Sequence, residues 1–482
     1  MQFNSIIFLV SFTFFIFLYY IFKNKYRKGF LLTANLLFYF SFGLSGLIIL
    51  AFVLFAVYLS GIAIEKSGER KLILWAGIFS VLIFLLIFKY YNFFTSFIFG
   101  VNRLPMLKIS SPIGLSFYTF AGLSYVIEVY RKRIKVEKNI FTLAGFITFF
   151  PLIVSGPIER SYNILPQLAD EKKFDYDKIK SGLILVTLGF FKKAVIADRL
   201  SVLVEKVFNS PEEFRGVSLI AGAILFSIQI YCDFSGYTDI AIGIAKIMGI
   251  DVMENFNLPY YSKSIQEFWS RWHISLSNWF RDYLFLPIAY AVTRKLKNKP
   301  LLGIKSENWS YITGISITML ICGLWHGADW TFILWGSIHA FFLVFAFITK
   351  KLRKKIIKKA GLEKSIAIKV FKTVITFILI TIAWVFFRAV SVSSGFYIVS
   401  HFFSSFNPVN VMLIFGSRIE VITVVSLVII LELIHYIQKR YGLILFLNSR
   451  PVWQRWGIYY FFVFLILIFG RFDSASFIYA KF

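Results

Sequence analysis

Only two cysteines occur in this 482-residue chain, Cys232 and Cys322, both within apolar segments. Their spacing excludes a disulfide framework and any CxxC site. Acidic residues are scarce, 25 against 52 basic ones, for a formal charge of +27. Histidine is confined to His273, His326, His339, His401 and His435, with no short His-to-His spacing and no Cys/His/carboxylate cluster, so a metal site is not expected. Nowhere does apolar alternate with polar over stretches of about ten residues, which rules out a transmembrane β-barrel. No soluble domain of useful size interrupts the chain. No internal repeat is visible, which counts against a transporter built from inverted repeats. Met1 to Phe22 lacks the basic n-region and small-residue cleavage site of a secretory signal.

What is present is apolar length. Hydrophobic residues make up 58% of the chain, more than the roughly half expected of a soluble domain. Apolar runs of about 20 residues, enough to cross a bilayer as a helix, recur from end to end. The expected fold class is all-α, a polytopic helical membrane protein forming one domain over residues 1–482. Spans are expected near Ser5–Phe22, Leu72–Ile98, Val217–Ala245, Tyr311–Cys322, Trp330–Ile348, Val370–Phe387, Ile419–Ile437 and Gly457–Phe469. Phe30–Ile64 reads as two short helices, a re-entrant pair broken at Ser41–Gly46. Pro112–Tyr130 reads as a span whose first turn holds Pro112, and Ile140–Pro157 and Ile184–Ile196 as further spans. The total is roughly ten to twelve helices. Lys89 is expected to snorkel from a helix end to the interface.

The positive charge collects in short connectors: Arg131, Lys132, Arg133 and Lys135; Arg294, Lys295, Lys297 and Lys299; and Lys350 to Lys359. In a soluble protein this balance suggests nucleic acid. Between apolar runs it suggests cytoplasmic loops against anionic headgroups, with no nucleic-acid partner. Capture of an anionic substrate such as the phosphates of coenzyme A is the sharper alternative. Lys23, Lys25, Arg27 and Lys28 after the first run predict an outside N-terminus.

Against this background an ionisable side chain needs a reason. His326 lies within a long apolar stretch, in the run Gly323-Leu324-Trp325-His326-Gly327. Cys322, four residues earlier, shares its helical face, so a Cys–His nucleophile pair is conceivable. The glycines on either side of His326 would let a backbone or acyl chain approach, or serve helix packing. Gln266–Phe285 reads as one amphipathic, Trp-rich interfacial helix. Trp269, Trp272, Leu276, Trp279, Phe280 and Tyr283 share one face, with Arg271, Ser275, Asn278, Arg281 and Asp282 opposite. His273 falls at the edge of the apolar sector, beside Phe280.

Several segments in order resemble the bacterial membrane-bound O-acyltransferase (MBOAT) family, in its alginate and peptidoglycan O-acetyltransferase branch. They include Pro112–Phe120, Gly156–Ile158, Phe191–Arg199, Asp233–Asp239, Phe268–Ser277, Gly323–Gly327, Trp384–Arg388 and the ending Phe477–Tyr479. The resemblance implies transmembrane helices with interfacial and re-entrant helices around a tunnel. It implies that His326 is catalytic and His273 accessory, with Asp233, Tyr237, Asn278 and Trp325 as candidate supporting groups. It further implies transfer of an acetyl group from acetyl-CoA, used as donor with no cofactor bound. The acceptor is a cell-surface polysaccharide, reached through an extracytoplasmic acetyltransferase partner of the SGNH type. The place is the bacterial cytoplasmic (inner) membrane. A thioester is already activated, so the protein must deprotonate a hydroxyl and stabilise an oxyanion. Imidazole suits the first task because its ordinary pKa lies near working pH. Two alternatives stand beside this reading: a D-alanyl transferase for teichoic acid, and a non-enzymatic transporter of acyl or polysaccharide precursors.

Overall fold

The computed structural model describes residues 3, 5–99, 106–107, 111–297, 299–300, 303–405 and 409–472. These residues form helices and turns, with no β-strand among them. Seven of the described helices are long and apolar enough to cross a membrane: Leu44–Lys66, Arg70–Phe97, Val217–Ile247, Trp330–Ile348, Ile366–Arg388, Arg418–Tyr441 and Val452–Phe469. Ile7–Ile21 is a shorter apolar helix. The chain is a multi-pass membrane protein, and helices suit it because they satisfy their backbone N–H and C=O groups without water. The Phe477–Tyr479 motif lies outside the described residues.

Several expected boundaries move, each for a local reason. Phe30–Ile64 is no re-entrant pair of short helices. A single turn at Gly43 (φ 121°) separates Asn24–Phe40 from the 23-residue helix Leu44–Lys66. Pro112 lies ahead of its helix, which starts at Leu115 behind Gly114. Ile140–Pro157 divides into Ile140–Ile147 and Phe150–Ile153, because the buried Asn35 amide oxygen takes the Phe150 N–H at 3.0 Å. Ile184–Ile196 is the middle of a longer helical run from Tyr176 to Asn209. The basic residues Lys350–Lys359 form an exposed helix rather than a loop.

Among the described residues three helical runs contain π-helical turns, at Leu86–Tyr90, Phe191–Ala197 and Arg281–Phe285. Each holds charged residues: Lys89, the Lys192–Lys193 pair, and Arg281 with Asp282. Lys89 thus sits inside its helical run, at a widened turn.

The described chain divides into two compact units. The first comprises Met1–Val195, Phe234–Glu254 and Ile444–Phe482, the second Ile196–Asp233 and Asn255–Leu443. In the first unit, Gly114 adopts φ 76°, and a Cβ there would lie 2.1 Å from the Ile153 carbonyl oxygen, so only glycine fits. Two of the segments singled out in the sequence meet in this unit. Lys192 Nζ lies 2.7 Å from Asp239 Oδ2, with the lysine buried. In the second unit, Ser306–His326 and Trp330–Ile348 form a tight hairpin. Asp329 caps the second helix by accepting the Thr331 N–H at 2.8 Å. The helices cross at glycine: a Cβ on Gly336 would sit 2.4 Å from the Met319 carbonyl oxygen, and one on Gly323 2.3 Å from that of Phe332. Small residues allow this approach where helix association rests on packing.

Two outcomes follow. Gly336→Ala should destabilise the protein by about 1–3 kcal/mol through overpacking, read as a lower melting temperature in detergent. Lys192→Met should take the buried ammonium away from the part-buried Asp239 carboxylate and lower the melting temperature, whereas Lys192→Met with Asp239→Leu should recover part of the loss. Equal melting temperatures for the single and double variants would contradict the ion-pair account.

Candidate functional site

His326 is the last residue of its helix, not a mid-helix residue. Gly327 follows in extended backbone, and the hairpin turn begins there. The imidazole is 2% exposed. Its ring meets Trp325 at 4.7 Å, Trp335 at 5.0 Å and Phe387 at 5.1 Å between centroids, all edge-on. The hairpin puts Trp335 there, while Phe387 comes from the helix Ile366–Arg388. Gly323 and Gly327 face Phe332 at distances that admit no Cβ, so both serve packing of the hairpin.

The segment around His273 is not one amphipathic helix. It breaks into Ile265–Trp269 and Ile274–Phe280, with the chain turned between them. His273 adopts φ 43° and ψ 56°, in the left-handed region. A stretch far upstream in sequence draws the backbone out of helical register. Asn257 N–H donates to Arg271 O and Ile274 N–H to Asn255 O, both at 2.9 Å. The Asn255 side chain completes the break. Its Oδ1 accepts from Ser275 N–H at 3.1 Å and Ser275 Oγ at 2.9 Å, and lies 3.0 Å from His273 Nδ1. If Oδ1 accepts there too, His273 carries its proton on Nδ1 and presents Nε2 as the basic nitrogen. Asn255 has no signal in local periodicity, because its role is a long-range cap.

The structure brings His273, Trp325 and His326 together. The Trp325 ring lies 6.1 Å from that of His273 and 4.7 Å from that of His326, so one indole adjoins both imidazoles. Asp233 is also in the second unit, 2% exposed on the long helix Val217–Ile247. Asn278 is half-buried on Ile274–Phe280. Tyr237 belongs to the first unit, where its ring stacks on Phe3 at 4.9 Å. Cys322 lines a cavity of about 220 Å³ together with Trp269, Leu276, Phe280, Met319 and Leu343.

Sequence reading passed over two further buried histidines. His339 accepts a hydrogen bond at Nδ1 from Trp269 Nε1 at 3.3 Å and packs on Trp335 at 4.7 Å. Trp335 and His339 are one helical turn apart, a spacing that reads as ordinary core, yet the cost of an intramembrane histidine was a usable signal. His435 Nε2 lies 3.0 Å from Tyr231 Oη, and its Nδ1 lies 3.2 Å from Glu432.

Residues 130–389, which include both expected catalytic histidines, match the family model described as MBOAT, membrane-bound O-acyltransferase family. The chain is 36% identical over 402 residues to a probable alginate O-acetylase AlgI of Azotobacter vinelandii, covering 81% of this chain and 75% of that protein. It is 30% identical to a peptidoglycan O-acetyltransferase of Helicobacter pylori, over 82% of this chain and 78% of that protein. A teichoic acid D-alanyltransferase of Bacillus subtilis is 33% identical over a shorter stretch, 52% of this chain and 62% of that one.

Asn255→Ala leaves the Ser275 N–H and hydroxyl without their buried acceptor. It should destabilise the protein by about 1–3 kcal/mol and lower activity more than a surface substitution such as Lys354→Ala. Thermal melting and turnover measured on the same preparation check both effects.

Proposed function

The chain belongs to the membrane-bound O-acyltransferase family and is an O-acyltransferase, and from that premise we propose that it moves an acetyl group from acetyl-CoA for O-acetylation of a cell-surface polysaccharide. The observation that carries this reading is the pair of buried histidines, His273 and His326, that both adjoin Trp325 inside the matched segment. The acetyl group is preferred over D-alanyl because the relatives named as O-acetylating enzymes match about four-fifths of the chain, against about half for a D-alanyltransferase. The acceptor polymer is of the kind those relatives' names specify, alginate or peptidoglycan. The protein acts in the bacterial cytoplasmic membrane, and an extracytoplasmic acetyltransferase of SGNH type receives the acyl group, as the family resemblance implies.

In this reading His326 is the general base. It takes the proton of the attacking hydroxyl as that oxygen adds to the thioester carbon. The carbonyl electron pair moves onto oxygen. When it returns, the carbon–sulfur bond breaks, coenzyme A leaves as thiolate, and the proton held on His326 passes to sulfur. The rings of Trp325, Trp335 and Phe387 surround the imidazole and hold it in place. Such a base contributes about 10²–10⁴-fold. His273, fixed by Asn255, is the accessory histidine that orients the acceptor hydroxyl.

His326→Ala should lower O-acetyl release from the surface polymer by about 10²-fold or more. Unchanged acetylation at normal protein level sinks the proposal. Incubating membranes with radiolabelled acetyl-CoA should label the glycan or partner protein. Label arriving only from a D-alanyl donor would move the protein to the other branch of the reaction class.

A further inference from the structure

Beside His326 the second unit holds a group of buried hydrogen-bond donors that the mechanism above does not use. Trp335 Nε1, Trp384 Nε1 and His339 Nε2 are buried and have no hydrogen-bond partner among the described residues. All three side chains are 0% exposed. Their rings adjoin one another: His339 to Trp335 at 4.7 Å, Trp335 to Trp384 at 5.7 Å, and His339 to Trp384 at 6.4 Å. The state of His339 follows from its one printed bond. Trp269 Nε1 donates to His339 Nδ1, and an indole can only donate, so Nδ1 accepts and the ring proton stands on Nε2. All three nitrogens are therefore N–H donors.

A cluster of three buried, unpaired donors does not suit a cation, a metal ion or an ammonium group. It suits an oxygen with free lone pairs. Unpaired buried polar groups are rare and each calls for a reason. Here the reason lies next door, since the His326 ring is 5.0 Å from that of Trp335. The cavity lined by Trp269 and Cys322 borders the same group through Trp269, which holds His339.

We propose that Trp335, Trp384 and His339 form the subsite that binds the carbonyl oxygen of the acyl group. This rests on the acyl-transfer reading and adds to it the residues that face the acyl oxygen. Donors set in place before reaction also hold the negative charge that develops on this oxygen when the hydroxyl adds. Preorganised donors of this kind stabilise transition states without reorganisation.

The test uses the full-length protein in detergent and two unreactive analogues. Acetonyl-CoA carries a ketone, and S-propyl-CoA has the same length without one. The affinity ratio of the two, measured by isothermal calorimetry, isolates the oxygen. Because both affinities come from one preparation, partial loss of folded protein cancels. Wild type should bind acetonyl-CoA about tenfold or more tighter. Trp335→Phe and Trp384→Phe keep a ring and remove a donor. His339→Asn keeps an acceptor for Trp269 and removes the distal N–H. Each should reduce the preference to about threefold or less. Equal binding of the analogues by wild type, or an undiminished preference in all three variants, overturns the carbonyl subsite and leaves acyl transfer standing. Failure of wild type to bind either analogue overturns both.

Discussion

On the side-chain oxygen of Asn255 converge the Ser275 N–H, the Ser275 hydroxyl and the His273 imidazole. In water such an arrangement would be one option among many, since solvent can cap a broken helix. In an apolar interior the chain can break only where a side chain or backbone group replaces water, because an unsatisfied backbone group there costs several kcal/mol. The Asn255–Asn257 stretch meets that condition for the break at His273. It also fixes the imidazole, so one residue sets both a backbone path and a ring orientation. The hairpin at His326 obeys the same rule, with Asp329 as the cap. Both histidines therefore stand at helix ends, where the backbone needs polar company and side chains can leave the regular helical rows.

Most of the architecture is legible in composition, for the reason that makes membrane proteins readable at all: long apolar runs have few alternatives to becoming helices. The trace Val217–Ala245 is within two residues of the observed Val217–Ile247. Trp330–Ile348 coincides with its helix. His273 and His326 stood out as candidates from the cost of placing an ionisable group in hydrocarbon and from the motifs around them, and both are buried. What was not legible depends on partners distant in sequence. The periodicity of Gln266–Phe285 is truly amphipathic, yet backbone bonds from Asn255 and Asn257 override it. Phe150 loses its place in one long helix to Asn35, more than a hundred positions earlier. His339 was missed for another reason. Its spacing from Trp335 is the spacing of any helical core, and only the hydrogen bond from Trp269 sets it apart.

Two kinds of close packing serve different ends in this chain. Gly323 and Gly336 remove side chains so that backbones touch, which holds the hairpin at a fixed separation. Around His326, bulk replaces emptiness: Trp325, Trp335, Trp384 and Phe387 form a continuous aromatic lining. Tryptophan is suited to that place because it combines a large apolar surface with one polar hydrogen. A leucine lining would exclude water equally well but would have nothing to offer an oxygen atom.

The widened turns at Leu86–Tyr90, Phe191–Ala197 and Arg281–Phe285 have a further consequence. A π-helical turn carries one residue more than the α-helical turn it replaces. Everything downstream is rotated about the helix axis by roughly a quarter-turn relative to an uninterrupted α-helix. Such a turn is a phase shift in the wheel of side chains. It decouples the face presented by the first half of a helix from the face presented by the second. Comparing related chains by strict helical periodicity will therefore lose alignment of inward and outward positions wherever one chain carries the extra residue and another does not. For helices like these, a single inserted residue is a change of direction before it is a change of length.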